Sequence, residues 1–373
     1  MEVFLSYGLG LFTALILFLF FRLRERGDFS RKTSQIRDGK AAMKRAIEYR
    51  LSMGPFVVAL GGGTGLSSLL RGLKGFTRNI VAVVTVTDEG GSSGRLREEW
   101  GVLPPGDVRN CIVALAENDN ALKKLLDFRF DRGGLAGHNL GNLMLLAISE
   151  QFGDFRLAVE EMNHLLAIRG RVLPVTTESV VLAAETRGGE RIRGELAISE
   201  RGKDIERIWL EPGDAKPLPD VLRSIEGADI IVLGPGSLFT SILPNLLISS
   251  VAERLRRCPI PKVYIANLMT QPGETEGFSI YDHVRWIASA MGIFPDYVVV
   301  NDGNIPAHLL EKYHQEGAEP LFLKKADRER IENMGCILLK GNFVRVIDDS
   351  VVRHDGHALS EILIRLCREL KED

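Results

Sequence analysis

Short apolar runs alternate along the chain with segments in which apolar residues recur every three or four positions. Runs rich in Val and Ile at Pro55–Gly61 and Asn79–Val86 end in glycine or polar residues, and helical spacing follows the first run at once. Wholly apolar strands that alternate with helices are typical of a parallel sheet covered on both faces. The pattern predicts an α/β, Rossmann-like domain over residues 55–373.

Later apolar runs continue this alternation. Further strands are predicted at Val172–Thr176, Val180–Glu185, Ile208–Glu211, Asp229–Leu233, Lys262–Asn267, Tyr297–Asn301 and Cys336–Lys340. Helical periodicity is found over Ala114–Phe128, Gly141–Ile168 and Ile280–Met291. Between Glu178 and Trp209, short β-prone runs are broken by Arg-Gly turns, which indicates a small antiparallel insertion.

The first 26 residues differ from the rest of the chain. Residues 3–21 carry no charge and are numerous enough to cross a membrane as a helix, and arginines follow at once. A positive flank places the following domain in the cytoplasm. The alternative, a cleaved signal peptide, lacks both a basic leading region and a small-residue cleavage site. We therefore expect a single-pass inner-membrane protein, with an anchor and basic flank at 1–26, a polar linker at 27–54 and a cytoplasmic main domain.

Composition narrows the possible partners. The 47 Lys and Arg residues nearly balance the 49 Asp and Glu residues, which argues against a dedicated nucleic-acid surface. The four cysteines are widely spaced and none forms a C-x-x-C pair, so we expect buried free thiols rather than a zinc site or a disulfide framework.

The first candidate site is the glycine turn between the first strand and its helix. It consists of Gly61, Gly62, Gly63, Thr64 and Gly65. Glycines let the backbone turn sharply and approach a ligand, and the helix that follows directs free N–H groups at an anion. The turn matches neither a strict G-x-G-x-x-G nor a Walker A motif. Its place after the first strand favours phosphate binding over a purely structural turn.

A second donor-rich turn follows the second strand. Asp88 closes that strand, where an acid bonds ribose hydroxyls in dinucleotide folds, or helps to hold Mg²⁺, or is simply solvated. Ser92, Ser93 and Arg97 come directly afterwards and are candidate phosphate contacts. Asp107 either caps the next helix or completes a two-carboxylate magnesium site with Asp88.

Two further clusters follow predicted strands or precede helices. His138, Asn139 and Asn142 form one, in which His138 is a base, a ligand donor or part of a helix-capping loop. The other cluster repeats the order strand, glycine turn and helix, and its turn residues are Gly234, Pro235, Gly236 and Ser237. Asn267, at the end of a neighbouring strand, is predicted to belong to the same site. All of these clusters are predicted to lie at the carboxyl ends of strands, which is the edge where open α/β sheets bind ligands.

Together these segments resemble a known family. LGGGTGLSSLLRGLK, TVTDEGGSSGRLR, GVLPPGDVRNCIVALAE, GHNLGNLML, GPGSLFTSILPNLL and NLMTQPGETEGFS are similar, in order, to the YvcK-type gluconeogenesis factors. That family is related to the CofD-like 2-phospho-lactate transferases. The resemblance covers residues 56 to 370.

The resemblance implies a CofD-like fold that binds nucleotide sugars such as UDP-N-acetylglucosamine. It also implies a role in carbon metabolism, cell shape or envelope maintenance. Carried over from the transferases, Asp88 and Asp107 become Mg²⁺ candidates, while Gly62, Gly63, Thr64 and the Gly234–Ser237 turn become nucleotide contacts. The deazaflavin pocket of the transferases has no identifiable counterpart in the sequence.

Three functions are compatible with these residues. The leading hypothesis is a regulatory protein that binds a nucleotide sugar and has no catalytic residue. A homo-oligomer is compatible with this hypothesis. The second is a Mg²⁺-dependent phospho- or nucleotidyl-transferase, whose chemistry needs mainly positioning and charge neutralisation. The third is an NAD-dependent oxidoreductase, which the imperfect glycine fingerprint disfavours.

Overall fold

The computed structural model describes residues 43–117 and 121–372. The chain divides between Met53 and Gly54. On the first side of that division, residues 43–52 are helical. Residues from Gly54 onward contain the strands and the remaining described helices. All four cysteines are buried and free, as predicted.

The described residues form twelve strands. Their bounds are β1 (Val57–Gly61), β2 (Ile80–Val84), β3 (Arg171–Pro174), β4 (Val181–Thr186), β5 (Arg191–Arg193), β6 (Ile205–Glu211), β7 (Ile230–Leu233), β8 (Lys262–Ile265), β9 (Tyr297–Asn301), β10 (Ile337–Gly341), β11 (Val344–Ile347) and β12 (Val351–His354).

Seven of these strands form one parallel sheet, which confirms the predicted α/β architecture. The order is β3–β2–β1–β7–β8–β9–β10, and every neighbouring pair is parallel. Val57 of β1 lies opposite Ile80 on one side and Ile230 on the other. The chain thus extends the sheet in one direction to β3, returns to the other side of β1, and then extends it in the opposite direction.

The central strands are apolar because the sheet is covered on both faces. Every residue of β1, β2, β7 and β8 is buried, and these strands are rich in Val and Ile, whose branched side chains suit a pleated surface. The edge strand β10 differs, since its residues are only partly buried or exposed.

Helices cover the sheet and connect its strands. Their bounds are α1 (Gly63–Leu73), α2 (Gly91–Trp100), α3 (Gly106–Leu115), α4 (Ala121–Leu126), α5 (Leu140–Phe152), α6 (Phe155–Leu165), α7 (Glu195–Arg201), α8 (Pro219–Gly227), α9 (Leu243–Leu246), α10 (Ser249–Arg257), α11 (Ile280–Met291), α12 (Ala307–Gln315), α13 (Lys325–Asn333) and α14 (Gly356–Glu372). A π-helical turn, Leu238–Ile242, precedes α9.

Two small antiparallel sheets are attached to this core. The predicted insertion is confirmed as the sheet β5–β4–β6, together with α7. The hairpin of β11 and β12 was not predicted from the sequence. At its tip, Asp348 and Asp349 both adopt positive φ, a conformation that asparagine and aspartate tolerate better than most residues.

Two predicted helices have different bounds in the structure. The periodic stretch 141–168 is two helices, since Gly153 ends α5 in the left-handed conformation and the Asp154 side chain accepts a 2.7 Å hydrogen bond from the Arg156 N–H to start α6. The prediction of one helix over 114–128 is wrong. Helix α3 ends at Leu115, because the backbone of Ala116 is no longer helical and has a ψ of 135°. Residues 118–120 lie outside the described part of the chain.

The localisation prediction is corrected. Across residues 43–117 and 121–372, the structure contains no helix both long and apolar enough to cross a membrane. The stretch 3–21, on which the prediction of a transmembrane helix depended, lies outside the described residues. A single-pass inner-membrane protein is therefore not retained.

The crossing of α1 and α14 depends on two glycines. A β-carbon at Gly72 would overlap the Gly356 backbone, and one at Gly356 would overlap the Ser68 carbonyl. We predict that Gly72→Ala lowers the free energy of unfolding by about 1–3 kcal/mol, because overpacking outweighs the gain in helix propensity. Urea unfolding measures this. Gly134→Ala is the control, since nothing lies within 4 Å of its added carbon, and equal stability of the two variants would contradict the tight crossing.

Candidate functional site

The two glycine turns at the carboxyl ends of β1 and β7 meet where the strand order reverses. Because β1 pairs with β7, the residues after Gly61 and after Leu233 leave the sheet side by side. A β-carbon at Gly65 would lie 2.5 Å from the Pro235 carbonyl oxygen, so only glycine fits this approach. This is the switch-point position at which open α/β sheets bind ligands.

A cavity of about 430 Å³ opens at this point, and we call it the switch-point cavity. Its lining comes from the α1 turn, the β7 turn, the loop after β8, and a far wall made by α12 and the β11–β12 hairpin. The lining residues are Gly62, Gly63, Thr64, Gly65, Ser68, Gly236, Ser237, Ser241, Asn267, Leu268, Met269, Thr270, Gln271, Pro272, Tyr313, Glu316, Ala318, Val352, Arg353 and His354.

The N-terminus of α1 opens into the cavity without a side-chain cap. Gly62 is its extended N-cap residue, and the first turn contains no acidic residue. The Gly63 N–H interacts with the Asp107 carboxyl, and the N-cap residue Gly62 has no side chain that could bond the next N–H groups. Uncapped N–H groups and the positive end of the helix dipole favour an anionic ligand here. The Ser67 hydroxyl, one turn further along α1, is buried and donates back to the Gly63 carbonyl at 3.0 Å.

The β7 turn is held from the opposite side by the loop after β8. The Gly236 N–H donates to Asn267 Oδ1 at 3.3 Å. Behind Asn267, the Tyr264 hydroxyl accepts from the Asn267 N–H and lies 2.8 Å from His283 Nδ1 in the core. Burial lowers the pKa of His283 to about 4, so this imidazole is neutral at physiological pH. The pair fixes the end of β8 and, through it, the β7 turn.

The far wall supplies the cavity's positive charge. Arg353, on β12, is the one Lys or Arg among the described lining residues. Beside it, His354 Nε2 lies 3.1 Å from the Ala266 carbonyl, and burial lowers the pKa of His354 to about 4. Tyr313 accepts a 3.0 Å hydrogen bond from the Val352 N–H at its hydroxyl, which fixes the ring against the hairpin.

A group of carboxyls lies directly behind the α1 turn. A β-carbon at Gly62 would come within 2.5 Å of Asp107 Oδ2, which shows how closely this acid approaches the turn. Burial, and then the charge of Asp88, raise the pKa of Asp107 to about 7. Burial, and then the same charge, raise the pKa of Glu195 to about 8. The buried acids therefore repel one another when ionised, and a cation or protons would relieve this.

Glu195 comes from the insertion and was not predicted as a site residue. Its carboxylate accepts from the Glu89 N–H at 2.8 Å, and the Glu89 carboxylate accepts from the Glu195 N–H at the same distance. This reciprocal pair joins α7 to the β2 turn. The two residues are 106 positions apart, so no local pattern could have indicated the contact.

The predicted serine, histidine and asparagine cluster forms, but it lies outside the lining of the switch-point cavity. Ser92 Oγ lies 3.2 Å from His138 Nδ1 and accepts from Asn142 Nδ2 at 3.1 Å. Asn139 caps α5 through its side-chain oxygen. Ser92 and His138 are each only 5% exposed. Their packing indicates that the cluster joins α2 to α5, which agrees with the capping-loop alternative for this segment.

Two other predicted residues also make internal contacts. Ser93 Oγ accepts from the Gly106 N–H at 3.0 Å, and Arg97 donates to the Val180 carbonyl at 2.6 Å. The predicted residues thus divide into a cavity group, drawn from the α1 turn, the β7 turn and Asn267, and a bracing group on α2 and α5. Sequence reasoning missed Tyr313, Arg353 and His354, which come from elements with no recognisable motif.

The carboxylates of Asp88 and Asp107 are compatible with one kind of magnesium site. Within the described residues, no group of three or more His, Cys, Asp and Glu side chains is arranged to hold a metal. Asp88 and Asp107 supply two hard oxygen ligands beside the α1 turn, and Mg²⁺ typically combines one or two carboxylates with water and substrate phosphates. Burial and the charge of Asp88 raise the pKa of Asp107, and a bound cation would oppose this rise. These residues therefore suit a substrate-bridged ion rather than a closed protein cage.

Comparisons with known proteins agree with this fold and site. The family model described as 2-phospho-L-lactate transferase CofD matches residues 57–344. The chain belongs to this family. The resemblance stated from the sequence motifs is confirmed. The matched region contains β1, both glycine turns and the acids Asp88, Asp107 and Glu195.

Relatives within the family carry the name gluconeogenesis factor. That of Bacillus subtilis is 45% identical over 317 residues, which is 84% of this chain and 99% of the relative. A putative gluconeogenesis factor from Nostoc is 45% identical over 85% of this chain and 69% of the relative. A crystal structure of a UPF0052 family member from Bacillus halodurans matches with a TM-score of 0.79 and 43% identity, over 83% of this chain and 99% of that one.

The buried acids predict an unusual pH dependence. Asp107 has a pKa of about 7 when folded and of about 4 when unfolded, so the folded state binds the extra proton between these values. Its contribution to stability is complete below pH 4 and is lost as the pH rises through 7. In EDTA buffer, we expect the wild type to lose on the order of 2 kcal/mol of unfolding free energy between pH 5 and 8.

Asp107→Asn should remove much of this loss, as measured by urea unfolding at a series of pH values. Asp131→Asn is the control, because this carboxylate is exposed. If Asp107→Asn and the wild type show the same slope against pH, Asp107 does not hold a proton in the folded protein.

Proposed function

We propose that this member of the CofD family is a regulatory protein that binds a nucleotide sugar, UDP-N-acetylglucosamine or a close relative, in the switch-point cavity. The observation that supports this most is the N-terminus of α1, which has no N-cap side chain and opens into the cavity that Arg353 also lines. The helix N–H groups and the guanidinium would both neutralise a diphosphate bound in the cavity. The volume of the cavity suits a small-molecule ligand.

The regulatory part of the proposal comes from two sources. The relatives are named gluconeogenesis factors, which supports a role in carbon metabolism and, by the family resemblance, in cell shape and envelope maintenance. In addition, Ser92 and His138 lie in contact but are both buried. A substrate could not reach this pair, which favours a regulatory protein over an enzyme that uses it.

Calorimetric titration of the 373-residue chain with UDP-N-acetylglucosamine tests the binding. We expect saturable binding and recovery of the intact ligand. Arg353→Ala should weaken the affinity about 10- to 100-fold, because a charge-assisted hydrogen bond contributes about 1.5–3 kcal/mol. Arg345→Ala is the matched control, since this exposed arginine lies on the same hairpin outside the cavity lining. Wild-type protein that binds no nucleotide diphosphate or nucleotide sugar would refute the proposal.

A second candidate function is a Mg²⁺-dependent phospho- or nucleotidyl-transferase. Asp107 favours it, because it lies against the turn where the phosphates would bind, and Asp88 is close enough to Asp107 to raise its pKa. When bound, a magnesium ion would neutralise phosphate charge as a Lewis acid. The residues of the chain would hold the phosphates at α1 and orient them toward the two acids.

Product analysis of the titrated samples separates the two functions. If the chain is a transferase, the nucleotide sugar is consumed only with Mg²⁺, and Asp88→Asn abolishes the turnover while binding persists. Asp131→Asn should leave turnover unchanged, since that side chain is exposed to solvent. Because water is the acceptor in these samples, intact ligand under all conditions would exclude transfer to water and support the regulatory function.

A further inference from the structure

The β7 turn is followed by a helical turn whose N-terminus is occupied by a side chain of the protein itself. Glu274, in the loop between β8 and α11, is 2% exposed. Its Oε1 accepts from the Phe239 N–H at 2.8 Å and from the Ser237 hydroxyl, and its carboxyl also interacts with the Thr240 N–H. A carboxylate thus lies where an anionic ligand would bind at a helix N-terminus.

The hydrogen bonds around Glu274 favour its ionised form. Burial raises the pKa of this carboxyl, while the bonds from Ser237, Phe239 and Thr240 oppose that rise. An ionised carboxylate only accepts, so the proton of the Ser237 hydroxyl points toward Glu274. Thr240 Oγ1, 2.6 Å from Ser237 Oγ, then donates to it. The Ser237 hydroxyl is left with no proton for a ligand phosphate.

The two turns of the cavity are therefore electrostatically different. At the α1 turn, Asp107 interacts with the Gly63 N–H, while the N-cap residue carries no side chain and the first helical turn contains no acid. The β7 turn has the buried Glu274 carboxyl directly behind Ser237, which itself lines the cavity, and three donors converge on this carboxyl and favour its negative charge. Like charges repel strongly where water is scarce.

We infer that Glu274 is a specificity-determining residue that confines the ligand's negative charge to the α1 side and reserves the β7 side for a neutral group. This rests on the proposed function, and it specifies the class of ligand further. The phosphates would lie at α1 and Arg353, while an uncharged sugar would lie against Ser237 and Asn267. An anionic sugar in the same position would face the Glu274 carboxylate.

Titrations with three probes, two that carry a neutral sugar and one that carries an anionic sugar, test this inference. We expect the wild type to bind UDP-N-acetylglucosamine or UDP-glucose at least tenfold more tightly than UDP-glucuronate. Glu274→Gln keeps the size and hydrogen-bonding capacity of the side chain but removes the charge, and it should reduce the ratio to about one by strengthening the binding of UDP-glucuronate. A merely structural role for Glu274 would weaken all probes together.

Glu276→Gln is the matched control, because Glu276 is exposed on the same loop and should keep the wild-type ratio. Equal wild-type affinities for UDP-glucose and UDP-glucuronate would overturn the inference and leave the proposed function standing, whether or not the Glu274→Gln variant folds. An unchanged ratio in a folded Glu274→Gln variant would overturn it as well. If the wild type binds none of the three probes, the proposed function itself fails.

Discussion

The pairing of β1 with both β2 and β7 is the constraint on which the rest of the site depends. A strand in the middle of a parallel sheet has a neighbour on each side, and here these neighbours are the second and the seventh strands of the chain. The connections from β1 and β7 therefore leave the sheet edge side by side and open a gap between them. The close approach of Gly65 to Pro235 shows how tightly the two turns are held.

The residues behind these turns give the cavity an uneven charge. On one side, Asp107 lies behind the N-terminus of α1 but does not cap it with a full set of hydrogen bonds, and its own ionisation is disfavoured by burial. On the other side, Glu274 receives three donors and closes the N-terminus of the turn after β7. Burial raises the pKa of both acids, and they differ in the number of donors at the carboxyl, which are three at Glu274 and the Gly63 N–H at Asp107.

The antiparallel insertion and the terminal hairpin connect the site to the rest of the fold. The reciprocal hydrogen bonds of Glu89 and Glu195 tie the insertion to the β2 turn. The hairpin brings Arg353 and His354 to the cavity. Both elements are remote in sequence from the glycine turns, so the chemistry of the cavity depends on long-range packing as much as on its motifs.

The sequence alone determined the parallel sheet, most of its strands and both glycine turns, because a buried strand needs an unbroken apolar run and a tight turn needs glycine. It placed Asp88 at the end of the second strand and offered Asp107 as its partner in a magnesium site or as a helix cap, but the contact of Asp107 with the first turn comes from tertiary packing. Helix bounds near Leu115 and Gly153 were missed, because capping and backbone conformation end a helix within an otherwise periodic stretch. Only the tertiary structure decided that Arg353, Tyr313 and Glu195 join the site, and that Ser92 and His138 form a brace instead of lining the cavity. Contacts between distant segments and the burial of polar groups arise when the whole core packs, and a local pattern does not encode them.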